Sequence, residues 1–310
     1  MLNAHLDTVG VEGMEDPFLP QIRDGCLYGR GAYDMKGSLA ACLAAVKALN
    51  DAGVELAGDL LVAAVADEEY ASLGTADLIG RYAVDGAVVT EPTQLQLCLA
   101  HKGFTWFEVV TRGRAAHGSQ VAQGIDANLR MGRFLTELAN LERRLRTGLG
   151  HPLVGPPSLH AATLHGGTGL STYAESCTLR IERRTIPGES GDQVAAEIRE
   201  LVDRLEAADP TLRASFETLL VREPFEVAPE AAIVRSLTAA AAPVLGHPPE
   251  QIGENPWMDS ALLASAGVDT VVFGPAGSGA HAREEWVDIE SVMKTAAVLA
   301  GTAVSYCGLS

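Results

Sequence analysis

The sequence of 310 residues lacks any run of about 18 uncharged apolar residues, the length that a membrane-spanning helix needs. Its best candidate, residues 231–245, contains Arg235. The chain starts MLNAHLDTV, with neither the basic segment nor the apolar segment that marks a protein for export. We therefore expect a soluble, cytoplasmic protein with no membrane partner.

Basic residues and cysteines are also scarce. The chain has 23 Lys and Arg against 40 Asp and Glu, and the formal net charge of −17 argues against nucleic acid and anionic membranes as partners. The five cysteines are odd in number and far apart, and they form no Cys-x-x-Cys pair. Such cysteines suit reduced thiols in a cytoplasm better than disulfides or a thiolate zinc site.

Apolar residues, in contrast, are abundant enough for more than one core. They make up 47% of the chain, and 310 residues exceed the size at which a single core usually keeps growing. Strand and helix patterns alternate over residues 1–101 and again over residues 223–310. This alternation predicts one discontinuous α/β domain with a mostly parallel sheet flanked by helices.

Residues 102–222 follow a different pattern. A strand that alternates with period two is followed by a helix with Leu129 and Phe134 on its apolar face, and then by two strands. A second helix begins with a capping box formed by Ser190 and Gln193, and a last strand closes the segment. The order βαββαβ predicts a ferredoxin-like α+β domain that is inserted into the first domain as one block.

Acidic residues and histidines recur at predicted strand ends and in glycine-rich loops of the first domain. Because the carboxyl ends of parallel strands meet at one edge of a sheet, these side chains are expected to converge there. Two imidazoles and three carboxylates suit a pair of divalent ions, with Zn²⁺ foremost and Co²⁺ or Mn²⁺ as alternatives. The candidates are His5, Asp7, Asp34, Glu68, Glu69, Glu91 and His281.

Each candidate taken alone also has an ordinary structural interpretation. Asp34 follows a glycine turn and precedes an alanine-rich helix, so it could simply cap that helix. The acid cluster at residues 67–69 could be solvated surface, and a single histidine on a strand is more often structural than a ligand. The other histidines considered are assigned to core roles: His101, His151, His160, His165 and His247.

The local contexts HLD, GRGAYDMKG, DEE, EPT and GAH occur in this order along the chain. With them the sequence resembles, over essentially its whole length, a family of two-zinc deacylases and exopeptidases. This family includes acetylornithine deacetylase, succinyl-diaminopimelate desuccinylase, aminoacylase and glutamate carboxypeptidase. The resemblance implies a zinc-exopeptidase-like catalytic domain with an inserted lid and dimerisation domain.

The resemblance also implies a role for each candidate. The implied metal ligands are His5 and Glu91 for one ion, Glu69 and His281 for the other, and Asp34 for both. Asp7 would orient His5, and Glu68 would be the general base that acts on the water shared by the two metals. The peptide bond between Asp34 and Met35 would be cis, a strained geometry that active sites tolerate.

For the inserted domain, the resemblance implies that His117 reaches across a homodimer interface to the partner's site and stabilises the oxyanion there. From the residues alone, His117 would be part of a polar turn. Arg184 would bind the α-carboxylate of the substrate, and its neighbour Arg183 is expected to be solvated. Three further residues are expected to shape substrate contacts: Gly166, Gly167 and Ser171, the last at a position where an asparagine is common.

The resemblance further implies a strand and a helix ahead of the segment that holds His5. Either the chain has been cut or its start assigned late, or this is a shortened form whose sheet lacks a neighbouring strand. In the shortened form both stability and activity would be affected.

The expected reaction is removal of a small acyl group from an N-acyl-L-amino acid, because AHKGFTWFEV, RAAHGS and IERRTIPGE are most similar to acetylornithine deacetylase-like members. A dipeptidase, a carboxypeptidase or a succinyl-diaminopimelate desuccinylase-like enzyme using the same metals is the alternative. An inactive homologue that acts as a binding protein is the non-enzyme alternative, although no ligand or base is missing from the sequence.

Overall fold

The computed structural model describes residues 1–310. The strands are β1 (Leu2–His5), β2 (Gln21–Arg23), β3 (Cys26–Tyr28), β4 (Val62–Val65), β5 (Gly86–Val89), β6 (Leu97–His101), β7 (Gly103–Arg112), β8 (Ser158–Gly166), β9 (Ser176–Thr185), β10 (Arg213–Arg222), β11 (Phe225–Glu226), β12 (Gln251–Glu254), β13 (Asp269–Val272), β14 (Gly277–Ser278) and β15 (Trp286–Asp288). The helices are α1 (Gly37–Asp51), α2 (Leu73–Ile79), α3 (Ala127–Thr147), α4 (Gly191–Ala208), α5 (Ala232–Leu245), α6 (Ser260–Ser265) and α7 (Ile289–Cys307). None of these helices combines the length and hydropathy required to cross a bilayer.

The chain divides into two compact units. The outer unit contains Met1–Ala100, Glu226–Gly253 and Met258–Ser310. The inserted unit contains His101–Phe225 and Glu254–Trp257. Each unit has its own hydrophobic core.

The outer unit is built on a sheet of seven strands with the order β11-β6-β13-β5-β1-β4, in which β12 also pairs with β6. The four neighbours β13, β5, β1 and β4 are parallel, as the alternating strand and helix patterns predict. All residues of β1 and β5 are buried, which explains why these strands are apolar runs without alternation. The strand at the start of the chain has a neighbour on both sides, and β4 ends the sheet.

Small side chains let α1 lie close to its neighbours. The buried positions of this helix are Gly37, Ser38, Ala41, Cys42 and Ala45, and the helix packs against α7, which also packs against α5. A side chain at Gly37 would place its Cβ 2.6 Å from the carbonyl oxygen of Ala32. The helix can therefore begin directly after the irregular turn Ala32–Lys36.

A second sheet of the outer unit, with the order β14-β15-β3-β2, is absent from the sequence prediction. Its strands have only two or three residues, too few to give a hydrophobic period. One signal was available, because Asp24 and Gly25 form a two-residue turn between β2 and β3. Their φ angles of 49° and 80° are both positive, which is the requirement that favours Asp-Gly in such hairpins.

The inserted unit confirms the predicted βαββαβ order. Its antiparallel sheet has the strand order β10-β7-β9-β8, and α3 and α4 supply core side chains such as Phe134 and Ile198. The capping box of Ser190 and Gln193 is present at the start of α4. Leu129 was wrongly placed on the apolar face of α3, because it is 65% exposed while Met131 is 1% exposed.

Two predictions about polar side chains are also wrong. Arg183 is fully buried rather than solvated, and its guanidinium pairs with Glu189 at 2.6 Å and lies 3.4 Å from Glu197. Arg183 and both acids belong to the inserted unit, so this is an internal ion network. Among the histidines assigned to the core, only His101 is buried, where it stacks on Phe225 at 5.1 Å, whereas His160, His165 and His247 are exposed and His151 is partly exposed.

The difference between Phe134 and Leu129 gives a test of the inserted core. Phe134→Ala is expected to lower the free energy of unfolding by about 3–5 kcal/mol, because it leaves a cavity among buried side chains. The control, Leu129→Ala on the same helix, is expected to change it by about 0.5 kcal/mol or less. The measurement is denaturant unfolding followed by circular dichroism. Similar losses for both variants would contradict the observed orientation of α3.

Candidate metal centre

Neighbouring parallel strands bring the predicted residues to one edge of the outer sheet. His5 is the last residue of β1 and lies opposite Val65, the last residue of β4. The acids Glu68 and Glu69 follow β4 in the next turn, and Glu91 follows β5, which also pairs with β1. The register of three strands therefore places one histidine and three acids at the same edge.

Asp7 connects His5 to the acid turn. Because β1 stops at His5, Asp7 lies in the following loop. Its carbonyl oxygen lies 3.0 Å from His5 Nδ1, while its carboxylate accepts hydrogen bonds from the backbone N–H groups of Glu68 (3.3 Å) and Glu69 (3.1 Å). A carbonyl can only accept, so His5 carries its proton on Nδ1 in the neutral ring and leaves Nε2 available.

Asp34 does not cap the alanine-rich helix. Its carboxylate points to two histidines instead, with Oδ1 3.0 Å from His5 Nε2 and Oδ2 3.3 Å from His281 Nε2. The Asp34–Met35 peptide bond is cis, as the resemblance implied. Asp34 is the one side chain that faces both imidazoles.

His281 lies in the loop between β14 and β15. Its φ angle is +60°, a left-handed conformation that residues other than glycine seldom adopt and that is often found at functional sites. His281 Nε2 lies 3.0 Å from Glu69 Oε2, and His5 Nε2 lies 3.5 Å from Glu91 Oε1. Each histidine therefore has its own acid in addition to the shared Asp34.

These side chains form two groups, and within each group the ligand atoms lie within 4.8 Å of one another. One group is His5, Asp34 and Glu91, and the other is Asp34, Glu69 and His281. Imidazole nitrogens and carboxylate oxygens in this ratio are ligands for borderline divalent cations. Glu69 Oε1 is buried without a hydrogen-bond partner, which is costly unless a positive charge is nearby. The residues present thus fit a pair of divalent ions that share Asp34.

The pKa values reflect the crowding of acids around His5. Burial alone would lower the pKa of His5, but the neighbouring carboxylates, first Glu91 and then Asp34, outweigh it and raise the pKa to about 10. For Asp34, burial alone would raise the pKa, yet hydrogen bonds from His281 and His5 hold the pKa below its usual value. Burial raises the pKa of Glu91 well above its ordinary range.

Glu68 lies beside this cluster. Burial, followed by the charge of Asp259, raises the pKa of Glu68 to about 8. Asp259 stands directly before α6, in the position of a helix cap, but its side chain does not cap that helix. It is buried and accepts a hydrogen bond from Thr75 at 2.5 Å. Its burial and its hydrogen bond with Thr75, which is 184 residues away in the sequence, distinguish Asp259 from an ordinary capping acid.

His117 and Ser171, both in the inserted unit, lie on adjacent segments. Thr172 forms an isolated bridge with His117, and the N–H of Gly118 donates to the carbonyl of Ser171 at 2.7 Å. His117 Nδ1 lies 2.8 Å from Ser119 Oγ. The sequence did not indicate that His117 and Ser171 would be neighbours.

The other three residues selected in the inserted unit have different surroundings. A Cβ at Gly166 would collide with the side chains of Asn128 and Cys177, so packing within the unit already favours a glycine there. Gly167 has a φ of +82°. Arg184 donates from Nε to Glu182 at 2.7 Å, and its guanidinium lies 5.0 Å from the centre of the Phe104 ring.

Comparison with known proteins agrees with this arrangement. Residues 1–305 match the family described as Peptidase family M20/M25/M40. The chain is 30% identical over 336 residues to N-formyl-4-amino-5-aminomethyl-2-methylpyrimidine deformylase of Bacillus subtilis (strain 168), covering 99% of this chain and 79% of that protein. It is 31% identical over 291 residues to acetylornithine deacetylase of Myxococcus xanthus, covering 92% and 74%.

A solved structure has the same fold. The YXEP protein of Bacillus subtilis, described as a dinuclear metal binding peptidase from the M20 family, aligns with a TM-score of 0.75 at 16% identity. The alignment covers 98% of this chain and 80% of that one.

The metal-free protein is expected to become less stable as the pH rises from about 6.5 to about 10. The pKa of His5 is about 10 in the folded chain against 6.5 ordinarily, so the folded state keeps a proton that the unfolded chain has released. This stabilisation is complete below pH 6.5 and is lost as the pH passes about 10. Chemical unfolding in EDTA at several pH values measures it.

His5→Gln provides the comparison, because it removes one titrating group and should reduce the slope of stability against pH between about 6.5 and 10. His160→Gln, at an exposed histidine, should leave the dependence unchanged. A slope as steep in His5→Gln as in the wild type would contradict the assignment to His5.

Proposed function

Because the chain belongs to peptidase family M20/M25/M40, whose members are metal-dependent hydrolases of amide bonds, we propose that it removes the acyl group from an N-acyl-L-amino acid. The observation that best supports this proposal is the pair of histidine–carboxylate groups that share Asp34, with Glu68 beside them. The reaction closest to this proposal is that of acetylornithine deacetylase, the name of a relative at 31% identity.

We propose two divalent cations per subunit, with Zn²⁺ foremost. His5 and Glu91 would hold one, Glu69 and His281 the other, and Asp34 both. When bound, such a pair lowers the pKa of a water molecule and polarises the amide carbonyl. The ligand atoms of each group lie close enough together to support this proposal, and so does the likeness to a dinuclear metal binding peptidase.

Glu68 is the proposed general base. Its carboxylate would accept a proton from the attacking water and return it to the departing amine, so that the amine leaves as a neutral group. Burial raises the pKa of Glu68, and the positive charge of bound cations would lower it again toward the carboxylate form that accepts a proton. Asp7 would support it by holding the backbone of the acid turn.

The inserted unit would supply the contacts to the rest of the substrate. Arg184 is the proposed partner of the α-carboxylate, since a guanidinium binds a carboxylate through two parallel hydrogen bonds. Gly167 and Ser171 would lie along the substrate, with Gly166 keeping the strand close to Asn128. We also propose a homodimer formed through the inserted unit, in which His117 stabilises the oxyanion in the partner's site.

A second candidate substrate follows from the other relative. A deformylase of an aminomethylpyrimidine is 30% identical over 99% of the chain, so removal of a formyl group from such an amine is the alternative reaction. The chemistry at the metals would be the same. One difference between the two substrates is informative here, because the pyrimidine has no α-carboxylate for Arg184 to bind.

Replacing Glu68 by Gln is expected to lower kcat for N-acetylornithine by about 10²- to 10⁴-fold, because the amide cannot take the proton. The metal content should remain that of the wild type, since Glu68 is not among the grouped ligands. Steady-state kinetics and metal analysis of the same sample measure both quantities. Glu217→Gln, at an exposed acid, is the control. Full hydrolysis by Glu68→Gln would remove Glu68 from the role of base.

Arg184→Ala separates the two candidate substrates. The variant is expected to lose about tenfold or more in kcat/KM for N-acetylornithine, because an Arg–carboxylate hydrogen bond contributes about 1.5–3 kcal/mol. Turnover of the N-formyl aminomethylpyrimidine should change little. Wild type and variant are assayed with both compounds, together with an N-succinyl amino acid and a dipeptide. Unchanged kcat/KM for all carboxylate-bearing compounds would rule out this role for Arg184.

A further inference from the structure

A buried carboxylate fixes the backbone of the loop that carries Asp34. The side chain of Glu285 is fully buried and accepts four hydrogen bonds. Its Oε2 accepts from Arg30 Nη1 at 2.6 Å and from the N–H of Gly31 at 3.0 Å. Its Oε1 accepts from the N–H groups of Tyr33 (2.9 Å) and Asp34 (3.0 Å). One acid thus orders three peptide groups of this loop, including that of Asp34 itself.

Arg30 extends this link to the loop that carries His281. Its Nη2 donates to the carbonyl of Ala282, the residue after His281, at 2.8 Å, and its Nε donates to the carbonyl of Gly10 at 3.2 Å. The side chain of Arg30 is 4% exposed, so water screens these charge-assisted bonds little. The Arg30–Glu285 ion pair therefore connects the backbone at Asp34 with the backbone next to His281.

The surrounding fold has supports that do not involve this ion pair. Trp286 in β15 pairs with Tyr28 in β3 through the backbone ladder, and Val287 packs in an apolar cluster with Ala32 and Tyr33. These contacts can keep the strands together when Glu285 is changed. They do not replace the hydrogen bonds that Glu285 accepts from the Asp34 loop, or the one that Arg30 donates to the carbonyl of Ala282.

We propose that Glu285, acting with Arg30, is a positioning residue that sets the separation of Asp34 and His281. It thereby sets the affinity for the cation that these two residues would share with Glu69. The inference rests on the proposed function, because it concerns the same metal centre. Glu285 is not among the grouped ligands, and it acts through the backbone N–H groups of Gly31, Tyr33 and Asp34.

Glu285→Gln is the informative substitution because it keeps the shape of the side chain. Whichever way the amide is turned, its NH₂ group faces two donors that the carboxylate oxygen accepted from. The negative charge that pairs with Arg30 is lost as well. The Asp34 loop should therefore relax even though the volume is unchanged.

The test is titration of the chelator-treated full chain with Co²⁺, followed by calorimetry and by the visible absorption that reports ligand geometry. The wild type is expected to bind two ions. Glu285→Gln should bind at least one of them about 10- to 100-fold more weakly, with an altered absorption spectrum, as is typical when a partner that orients a ligand is removed. Glu284→Gln, at the exposed neighbouring acid, should match the wild type in both readouts.

Wild-type affinity and spectrum in a folded Glu285→Gln variant would overturn the inference and leave the proposed function intact. If Glu285→Gln does not fold by circular dichroism, Arg30→Lys decides in the same way. A lysine keeps the charge but lacks the geometry to reach Glu285 and both carbonyls, so at least tenfold weaker Co²⁺ binding supports the inference and unchanged binding refutes it. If the His281→Ala variant binds as many Co²⁺ ions as the wild type, the proposed function itself is refuted.

Discussion

The carboxylate of Asp34 must lie between two histidines, with one oxygen toward each imidazole. The arrangement of the outer unit follows from that requirement. His5 comes from the end of a central strand, and His281 comes from a loop near the other end of the chain. For one side chain to lie between them, its loop must be held on both sides. The turn before α1, the close start of that helix at Gly37 and the bonds from Glu285 together meet this condition.

Electrostatics explains why such a site suits cations. Three carboxylates and the adjacent Glu68 lie around two imidazoles, so without added positive charge the cluster can be accommodated only by retaining protons. The carboxylates raise the pKa of His5 against the effect of burial, whereas burial is the main cause of the raised pKa of Glu91, to which Asp34 and Glu68 add. A bound cation would replace those protons, so metal binding and proton release are coupled at this edge of the sheet.

Much of the fold could be predicted from the sequence, because its main elements are long or strongly patterned. The period of residues 104–111 and the apolar strands at β4 and β5 specify their structures locally, and the capping box at Ser190 locates a helix start. The chemical identity of His5 and the acids, in recognisable local contexts, was enough to select the residues that converge at the sheet edge. The resemblance, not the spacing, divided them into two groups.

What the sequence could not predict depends on contacts between distant segments. Arg183 looks like any charged strand residue until α4 brings Glu197 beside it, and Asp259 looks like a helix cap until Thr75 is seen to donate to it. The helical period located α3 but did not decide that Leu129, at its first turn, would face solvent. The short strands of the second sheet form because β3 and β15 pair with each other, and neither strand has a recognisable pattern in the sequence by itself.

The order of the elements along the chain has a consequence for biosynthesis. The strands and helices of the inserted unit from β7 to β10 are contiguous, so this unit can complete its own sheet while the ribosome is still adding residues. The outer sheet needs β13, and the cluster needs the loop between β14 and β15, and both are made after the inserted unit. The nascent protein therefore cannot bring His5 and His281 together until the inserted unit has been made, and a cation pair that needs both histidines could bind only after that point.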